Sequence, residues 1–537
     1  MHAIKELWSA FFIIFTGWLA LTYFLPVLPI DETRYLSVAW EMRLNHSFFV
    51  PILNGQPYFH KPPLFFWLIQ AGWHLFGVNT FIPRLIPLLF SLANIVLTFC
   101  ISRQLWPEKT DIAKYASIIL ASMFIWIVFS SLIMFDILLT FWVLIGILGI
   151  LHYSNNYHSK KWLLFAIAIG GGLLTKGPVI LVHILPAAIF VFLWKKDKID
   201  FRWYKIIVFS LLIGIAIVLL WVIPAIIKGG EVYRNEILWG QTANRMFSSF
   251  AHQRPFWWYL LFLPVLLFPW SVLKISWAGF FSLKDDRGCK LLMVWLISAL
   301  IIFSIVSGKQ IHYLIPELPA ASLLIAYNIM NNKASYNKFK RNNVALGLFY
   351  ILVGAVLFGM PFMHLGSDVG QITIKMIVFA AVGSIFLGII LIFIKYNTLD
   401  IMVKIVALST MVFIIIFLNG AHSIRPNYDL EKISHLIKME QDQGKKIAYV
   451  GHYHGQFQFL GLLKSPLIVF KKRDDGLAKF IKKNPDLMII TTMKAKIIIP
   501  PENIVFMQPY KNRKLVLMDA QSFLQFKSQL LNLPGKK

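Results

Sequence analysis

Acidic residues are scarce in this chain. Asp and Glu number 25 against 52 Lys and Arg in 537 residues, and all four types together make up only 14%. That scarcity excludes an ordinary soluble protein of this length, whose surface would need far more charge. Cysteine is scarcer still: Cys100 stands at a helix end and Cys289 in a short loop, both toward the cytoplasm, so no disulfide framework is expected. Internal repeats, heptads and low-complexity tracts are missing as well, which sets aside solenoids, coiled coils and disordered tails. A small-residue cleavage site is also lacking after the first apolar run, Trp8 to Leu28, where Pro29 and Asp31 follow. That run reads as a retained first helix and not a signal peptide.

Apolar and aromatic residues take the place of charge. They reach 58% and 15% of the chain, with Trp and Phe both abundant, and mean hydropathy is +0.67. Runs long enough to cross the bilayer recur through Gly420, about thirteen by hydropathy. The formal charge of +27 would suggest nucleic acid in a soluble domain. Outside the C-terminal tail, most of the basic residues lie in short loops between apolar runs, so no nucleic-acid partner is expected and topology and anionic lipid account for them.

Alternate loops fix the orientation. Arg103, Lys109 and Lys114, then Lys160 and Lys161, the cluster Lys195 to Lys205, Lys284 to Lys290, Lys333 to Arg341, and Lys395 with Lys404 mark one side as cytoplasmic. Asp31 to Pro83, the Asp136 turn, the Lys176 turn, Lys228 to Pro255, Ser307 to Tyr313 and the turn near Ser367 then face outward. An odd number of spans also puts the tail outside. The expected organisation is therefore a mainly α membrane domain over 1–420 and a small α/β domain over 421–537. In the tail, Lys446–Val450, Leu467–Phe470 and Leu487–Thr491 read as buried strands, and Asp429 to Lys438 and Gly476 to Lys483 as helices.

Ionisable residues at a membrane edge are costly and are therefore candidates for function. They gather on the outward side: Asp31, Glu32, Arg34, His60, Lys61, Asp136, Lys176, Arg245, Lys309 and His312. Asp31 and Glu32 open a helix running toward Leu44, as caps or as a surface carboxylate able to act as general base. Lys61 precedes Pro62 and Pro63, which start an apolar interfacial helix, Leu64 to Phe76. It is either a snorkelling Lys or a point charge for a head-group phosphate. Asp136 has no basic residue near it in sequence and must find a partner in space or stay wet. Thr175-Lys176-Gly177-Pro178 lacks the glycine-rich cradle of a nucleotide loop. His452 and His454 are two potential metal ligands, too few for a site by themselves.

The segments Asp31-Glu32-Thr33-Arg34-Tyr35, Tyr58-Phe59-His60-Lys61-Pro62, Asp136, Thr175 to Pro178, Arg254 to Tyr259, Phe268 to Ser271 and Ser307 to Pro316 together resemble the integral-membrane glycosyltransferases that use polyprenyl-phosphate sugars. This is the group containing the bacterial aminoarabinose transferases and the protein O-mannosyltransferases. The resemblance runs in order from Trp8 to about Gly420. It implies a GT-C multi-span helical bundle with juxtamembrane helices in the first outward loop. It implies Asp31 as catalytic carboxylate and Asp136 as a second acidic residue at the cavity. Arg34, Tyr35, Tyr58, Lys61, Arg245 and Tyr313 would surround the donor phosphate, with Lys176 adding positive potential and Glu32, His60, Lys309 and His312 as further cavity residues. The implied partners are a polyprenyl (undecaprenyl) phosphate sugar, membrane lipids, and an acceptor on lipid A, another glycan or protein. The implied location is the bacterial inner membrane, with the site facing the periplasm. Where aminoarabinose transferases carry a Glu before the motif lysine and a His five residues before the motif arginine, this chain has His60 and Gly240. A metal of the kind associated with that pair is therefore not expected and no cofactor is required, with His60 and either His252 or His312 as the alternative arrangement for a metal site. A lipid-linked glycan transporter is the alternative of another class, but it would show repeated halves and mid-membrane charges. An inactive accessory subunit is disfavoured because the carboxylate and cationic positions assigned above are all occupied.

Overall fold

The computed structural model describes residues 2–237, 253–278, 286–332, 342–360, 371–396, 398–472, 474 and 476–531. The chain is mainly α-helical, and its contacts divide it into two compact units, Met1–Phe24 with Phe59–Ala421, and Leu25–Tyr58 with His422–Lys537.

In the first unit, eight helices among the described residues are long and apolar enough to cross a membrane: Leu7–Phe24, Phe81–Leu105, Asp136–Asn155, Phe201–Glu231, Arg287–Ile305, Ile311–Asn331, Ile374–Phe393 and Leu399–Asn419. Other apolar runs form shorter helices, among them Thr110–Ser122 and Leu163–Lys176. The helix Leu64–Phe76 has 13 residues, about 20 Å at 1.5 Å per residue, too short to span the hydrocarbon. It buries Phe65, Phe66, Ile69 and Trp73. With lipid outside, polar groups between helices must satisfy each other. Asn94 Nδ2 donates to Ile137 O at 2.9 Å, and Ser91 Oγ accepts from Trp126 Nε1 and Ser130 Oγ, each at 2.9 Å. These bonds seat the start of the Asp136 helix.

The second unit is an α/β body. The tail forms β3 (Ile447–Val450), β4 (Ile468–Phe470), β5 (Met488–Lys494), β6 (Phe506–Tyr510) and β7 (Arg513–Asp519), following β1 (Ile52–Leu53) and β2 (Gln56–Pro57) of the first loop. The sheet order is β4-β3-β5-β7-β6. β3 runs parallel to both β4 and β5, while β7 is antiparallel to β5 and β6. The helices Glu431–Asp442, Gly476–Lys483 and Ala520–Leu531 accompany it, the last two packing Leu477, Ile481, Phe523 and Leu530 onto Ala448, Ile489 and Val516 of the sheet.

The helix Asp31–Leu44 belongs to this unit through a polar latch. β1 and β2 are joined by Asn54-Gly55, both at positive φ (52° and 73°), the conformation a two-residue hairpin requires. Glu41 accepts the turn's two amides, Asn54 N at 2.6 Å and Gly55 N at 2.7 Å. Asn54 Oδ1 in turn accepts from Gln458 Nε2 at 2.7 Å and Leu467 N at 2.8 Å, and its Nδ2 donates to Leu467 O at 2.9 Å. Trp40 Nε1 donates to Leu463 O at 2.9 Å. Burial pushes the Glu41 carboxyl above its usual value, with the two amides pulling it back.

Candidate active site

Asp31 does not cap its helix. Ile30 occupies the N-cap with no side-chain bond, and Asp31 pairs instead with Arg34 one turn on. Glu32, 2% exposed, accepts from Leu28 N at 2.8 Å and closes the turn entering the helix. The Arg34 guanidinium lies 5.4 Å from the centroid of the Tyr35 ring, and Tyr35 and Tyr58 are both buried. Burial works against the Arg34 charge, but Tyr58, Tyr35 and Asp31 hold its pKa above the ordinary value. Burial pushes the Tyr35 phenol well up, and Asp31 adds to that, so Tyr35 is a neutral hydrogen-bond donor. The outcome is a permanent cation beside a carboxylate that is 48% exposed, with two phenols around them.

His454 enters the same neighbourhood from the tail. Burial lowers its pKa, helped by Arg34, His452 and Lys511 and opposed by Asp31. An imidazole among cations is poorly placed to gather a metal. Among the described residues no group of three or more His, Cys, Asp or Glu could hold one.

The membrane unit carries a second constellation. Asp136, 1% exposed, finds its partner in Lys176, whose Nζ donates to Oδ1 at 2.5 Å. Gly177, at φ 74°, ends the Lys176 helix and donates to Leu173 O at 3.0 Å. This left-handed cap turns the chain into Pro178 and leaves Lys176 on the last turn. The Lys176 ammonium also lies 5.1 Å from the Tyr313 ring centroid, and Lys61 Nζ lies 5.6 Å from that of Phe135. Phe135 packs on Phe65 and Phe66 at 4.8 and 5.6 Å, so the short helix Leu64–Phe76 sets the place of the ring beside Lys61. His312 stacks edge-on with Tyr313 at 5.0 Å. Lys176, His312 and Lys61 are the basic residues within electrostatic reach of Asp136, three residues that sequence order separates widely. His60 is exposed and contacts Phe59 at 4.8 Å.

Lys309 has a different occupation. It is 3% exposed, and its ammonium donates to Arg254 O at 3.1 Å and to Val306 O. Burial lowers its pKa. With Arg254 N donating to Ser307 O at 3.1 Å, it ties two loop segments together. Arg245 lies outside the described residues, as do Gly240 and His252.

One buried pair escaped the sequence reading. His183 Nδ1 and Glu317 Oε1 are 2.5 Å apart, with side chains 1% and 5% exposed. His183 packs on Phe303 at 5.3 Å, and Phe303 on Tyr313 at 5.7 Å, so ring contacts connect the pair to the Asp136 constellation. Glu317, an acid between two prolines in an apolar run, is the signal that could have exposed it. Glu317 borders an apolar cavity of about 210 Å³ lined by Leu263, Leu300, Leu314 and Leu324.

Residues 60–226 match the family described as dolichyl-phosphate-mannose-protein mannosyltransferase. The chain is 27% identical over 373 residues to an undecaprenyl phosphate-alpha-4-amino-4-deoxy-L-arabinose arabinosyl transferase of Pseudomonas fluorescens, an alignment covering 65% of each protein. It is 27% identical over 391 residues to the corresponding transferase of Pseudomonas paraeruginosa, covering 68% of this chain and 67% of the relative. The crystal structure of ArnT from Cupriavidus metallidurans bound to undecaprenyl phosphate matches 94% of this chain and 96% of its own with a TM-score of 0.72 at 16% identity. That likeness shows a shared fold extending over almost the whole length of both chains.

Proposed function

We propose that this chain, a multi-pass member of the GT-C superfamily that contains the aminoarabinose transferases, moves a sugar from an undecaprenyl phosphate donor to lipid A, inverting the anomeric carbon. The observation that carries this reading is the near full-length fold likeness to a transferase bound to undecaprenyl phosphate. Two carboxylates, each held beside a cation, support it.

The bond between the anomeric carbon and the phosphate oxygen breaks, and the polyprenyl phosphate leaves with the electron pair. The acceptor oxygen attacks from the opposite face. A phosphate leaving group needs no general acid, only cations and donors where charge develops. Lys61, Arg34, Tyr35, Tyr58, Arg245 and Tyr313 take that role, and Lys176 with Asp136 sets the local potential. Asp31 serves as base toward a hydroxyl acceptor, or orients a phosphate acceptor and stabilises an oxocarbenium-like sugar. No cofactor is required, so chelator-treated enzyme should keep its rate.

Proteoliposomes supplied with undecaprenyl phosphate aminoarabinose and lipid A test the reading. Wild-type protein should modify lipid A, and Lys61→Ala should lower the rate about tenfold or more, the scale of a lost charge-assisted contact. Unmodified lipid A beside newly hexosylated protein would favour a protein O-mannosyltransferase, the reading the family match at 60–226 supports. Donor carried across the bilayer without product would favour a transporter. The inner-membrane orientation is tested by a cysteine at exposed His60, which should react with an impermeant maleimide from the periplasmic side.

A further inference from the structure

The C-terminal sheet has its own reason to bind an anion. In an open α/β sheet, ligands bind outside the carboxyl ends of parallel strands, at the point where the chain has sent neighbouring strands to opposite sides. β3 is that point: β4 lies on one side of it and β5 on the other, both parallel to it. Its carboxyl end runs into Gly451, whose amide donates to Phe470 O at 2.9 Å at the end of β4. A Cβ at Gly451 would come 4.0 Å from Lys472 Cε. On the other side, β5 ends at Lys494, which stands directly opposite Arg513 in the β5–β7 register. Like charges directly opposite in antiparallel strands are destabilising. The guanidinium of Arg513 bonds only a carbonyl, Thr492 O at 3.3 Å, and its Nε is buried without a partner among the described residues.

The two edges of the sheet differ. Residues 422–537 carry 20 Lys and Arg against 9 Asp and Glu, so cations outnumber acids throughout. Near the amino edge Lys445 pairs with Glu440 at 2.6 Å, and Lys446 donates to Asn484 at 2.8 Å. At the carboxyl edge, Lys472, Lys494 and Arg513 have no ion pair among the described residues. The acids there are committed: Asp474 accepts from Gly476 N at 2.9 Å, and Asp31 pairs with Arg34. The tail meets the helix Asp31–Leu44 within this unit, where Phe459 N donates to Ser37 Oγ at 3.2 Å, and Lys511 and His454 lie within electrostatic reach of Asp31.

We propose that the carboxyl edge of this sheet, with Lys472, Lys494, Lys511 and Arg513 around Gly451, binds the phosphate of the anionic glycolipid acceptor and presents that acceptor to Asp31. The proposal rests on the acceptor reading above and specifies which part of the acceptor is recognised. A phosphate monoester offers the charge density that several cations without acidic partners require. It is also the group by which the acceptor differs from a neutral glycan. The repulsion between Lys494 and Arg513 is the local cost, relieved when the phosphate is bound.

Binding to full-length protein in nanodiscs tests this without any turnover. The probes are bisphosphorylated lipid A, enzymatically dephosphorylated lipid A and phosphatidylglycerol. Wild-type protein should bind the bisphosphorylated form at least about tenfold more tightly than the dephosphorylated one, a preference equal to about 1.4 kcal/mol. Lys472→Gln with Lys511→Gln should remove most of that preference. Lys482→Gln with Lys483→Gln, an equal charge change on exposed positions at the far end of the helix Gly476–Lys483, should keep it. Lys494→Gln should weaken binding while leaving the thermal midpoint unchanged or raised, which a merely structural lysine would not do. Equal loss in both double variants would reduce the effect to general charge and overturn the site. Phosphatidylglycerol bound as tightly, with the same dependence on Lys472 and Lys511, would overturn the acceptor assignment. Failure of transfer with this binding intact would count against the transferase reading and leave the phosphate site standing.

Discussion

Two carboxylate–cation pairs in this protein have the same chemistry and opposite surroundings. Asp136 and Lys176 are almost wholly buried in the membrane unit, at 1% and 8% side-chain exposure. Asp31 and Arg34 sit in the α/β unit at 48% and 21%. A buried pair has no alternative partner, so each member holds the other in place and losing one strands a charge. A half-exposed pair is weak in itself and can exchange its partner for substrate. The difference teaches which pair is locked by burial and which can exchange partners.

The largest expected effect breaks the comparison at the buried end. Lys176→Ala should destabilise the protein by about 3–5 kcal/mol, because the buried Asp136 loses the ammonium that hydrogen-bonds it. Arg34→Ala should change stability by about 0–1 kcal/mol. Thermal unfolding in detergent checks both, and equal losses would erase the distinction. Next, Asp31→Asn should lower transfer about 100-fold, at the lower end of what a positioned acid or base contributes, with membrane insertion and thermal midpoint unchanged. A wild-type rate would remove Asp31 from the chemistry. A smaller effect sharpens the comparison through the latch that seats the Asp31 helix. Glu41→Gln keeps one acceptor for the Asn54 and Gly55 amides but loses the charge, and should cost about 1–3 kcal/mol. Hydrogen exchange at those two amides should rise with it.

The smallest effect is a pH dependence at His454. Its folded pKa lies below the ordinary 6.5 because of burial and then Arg34, His452 and Lys511. The unfolded chain therefore binds more protons between the depressed value and about 6.5, and stability should rise with pH through that window. His454→Gln should flatten that slope in melts between about pH 5 and 7. An unchanged slope would show that His454 does not titrate there.

Local structure was legible to a useful degree. The helices expected from Asp31 to Leu44 and from Leu64 to Phe76 are present with those bounds. The strands at 446–450, 467–470 and 487–491 correspond to β3, β4 and β5, with β5 continuing to Lys494. β6, β7 and the helix Ala520–Leu531 were not read. β6 contains Pro509 on an edge strand, and its pairing with β7 through a Lys511-Asn512 turn lacks the strong Asn-Gly signal that Asn54-Gly55 displays. That Asp136 must find a partner in space or stay wet was also legible, because no basic residue stands near it in sequence. Its identity was not. Lys176 is 40 residues away and followed by a glycine cap whose effect on side-chain direction needs coordinates. Glu317 was visible as an isolated acid, but His183, 134 residues earlier, was not.

By itself the sequence determined that this is a multi-pass membrane protein with a small α/β tail. Composition and short-range periodicity set those properties, since each depends on residues a few positions apart. Only the tertiary structure decided which charges neutralise one another and which remain available. It also joined residues 25–58 to residues 422–537 in one unit, through bonds such as Asn54 to Gln458 that span 404 positions. Electrostatic partnership falls off over a few ångströms of space and is indifferent to distance along the chain. The surroundings of Asp31 and Asp136 therefore diverge only once the fold has chosen their neighbours.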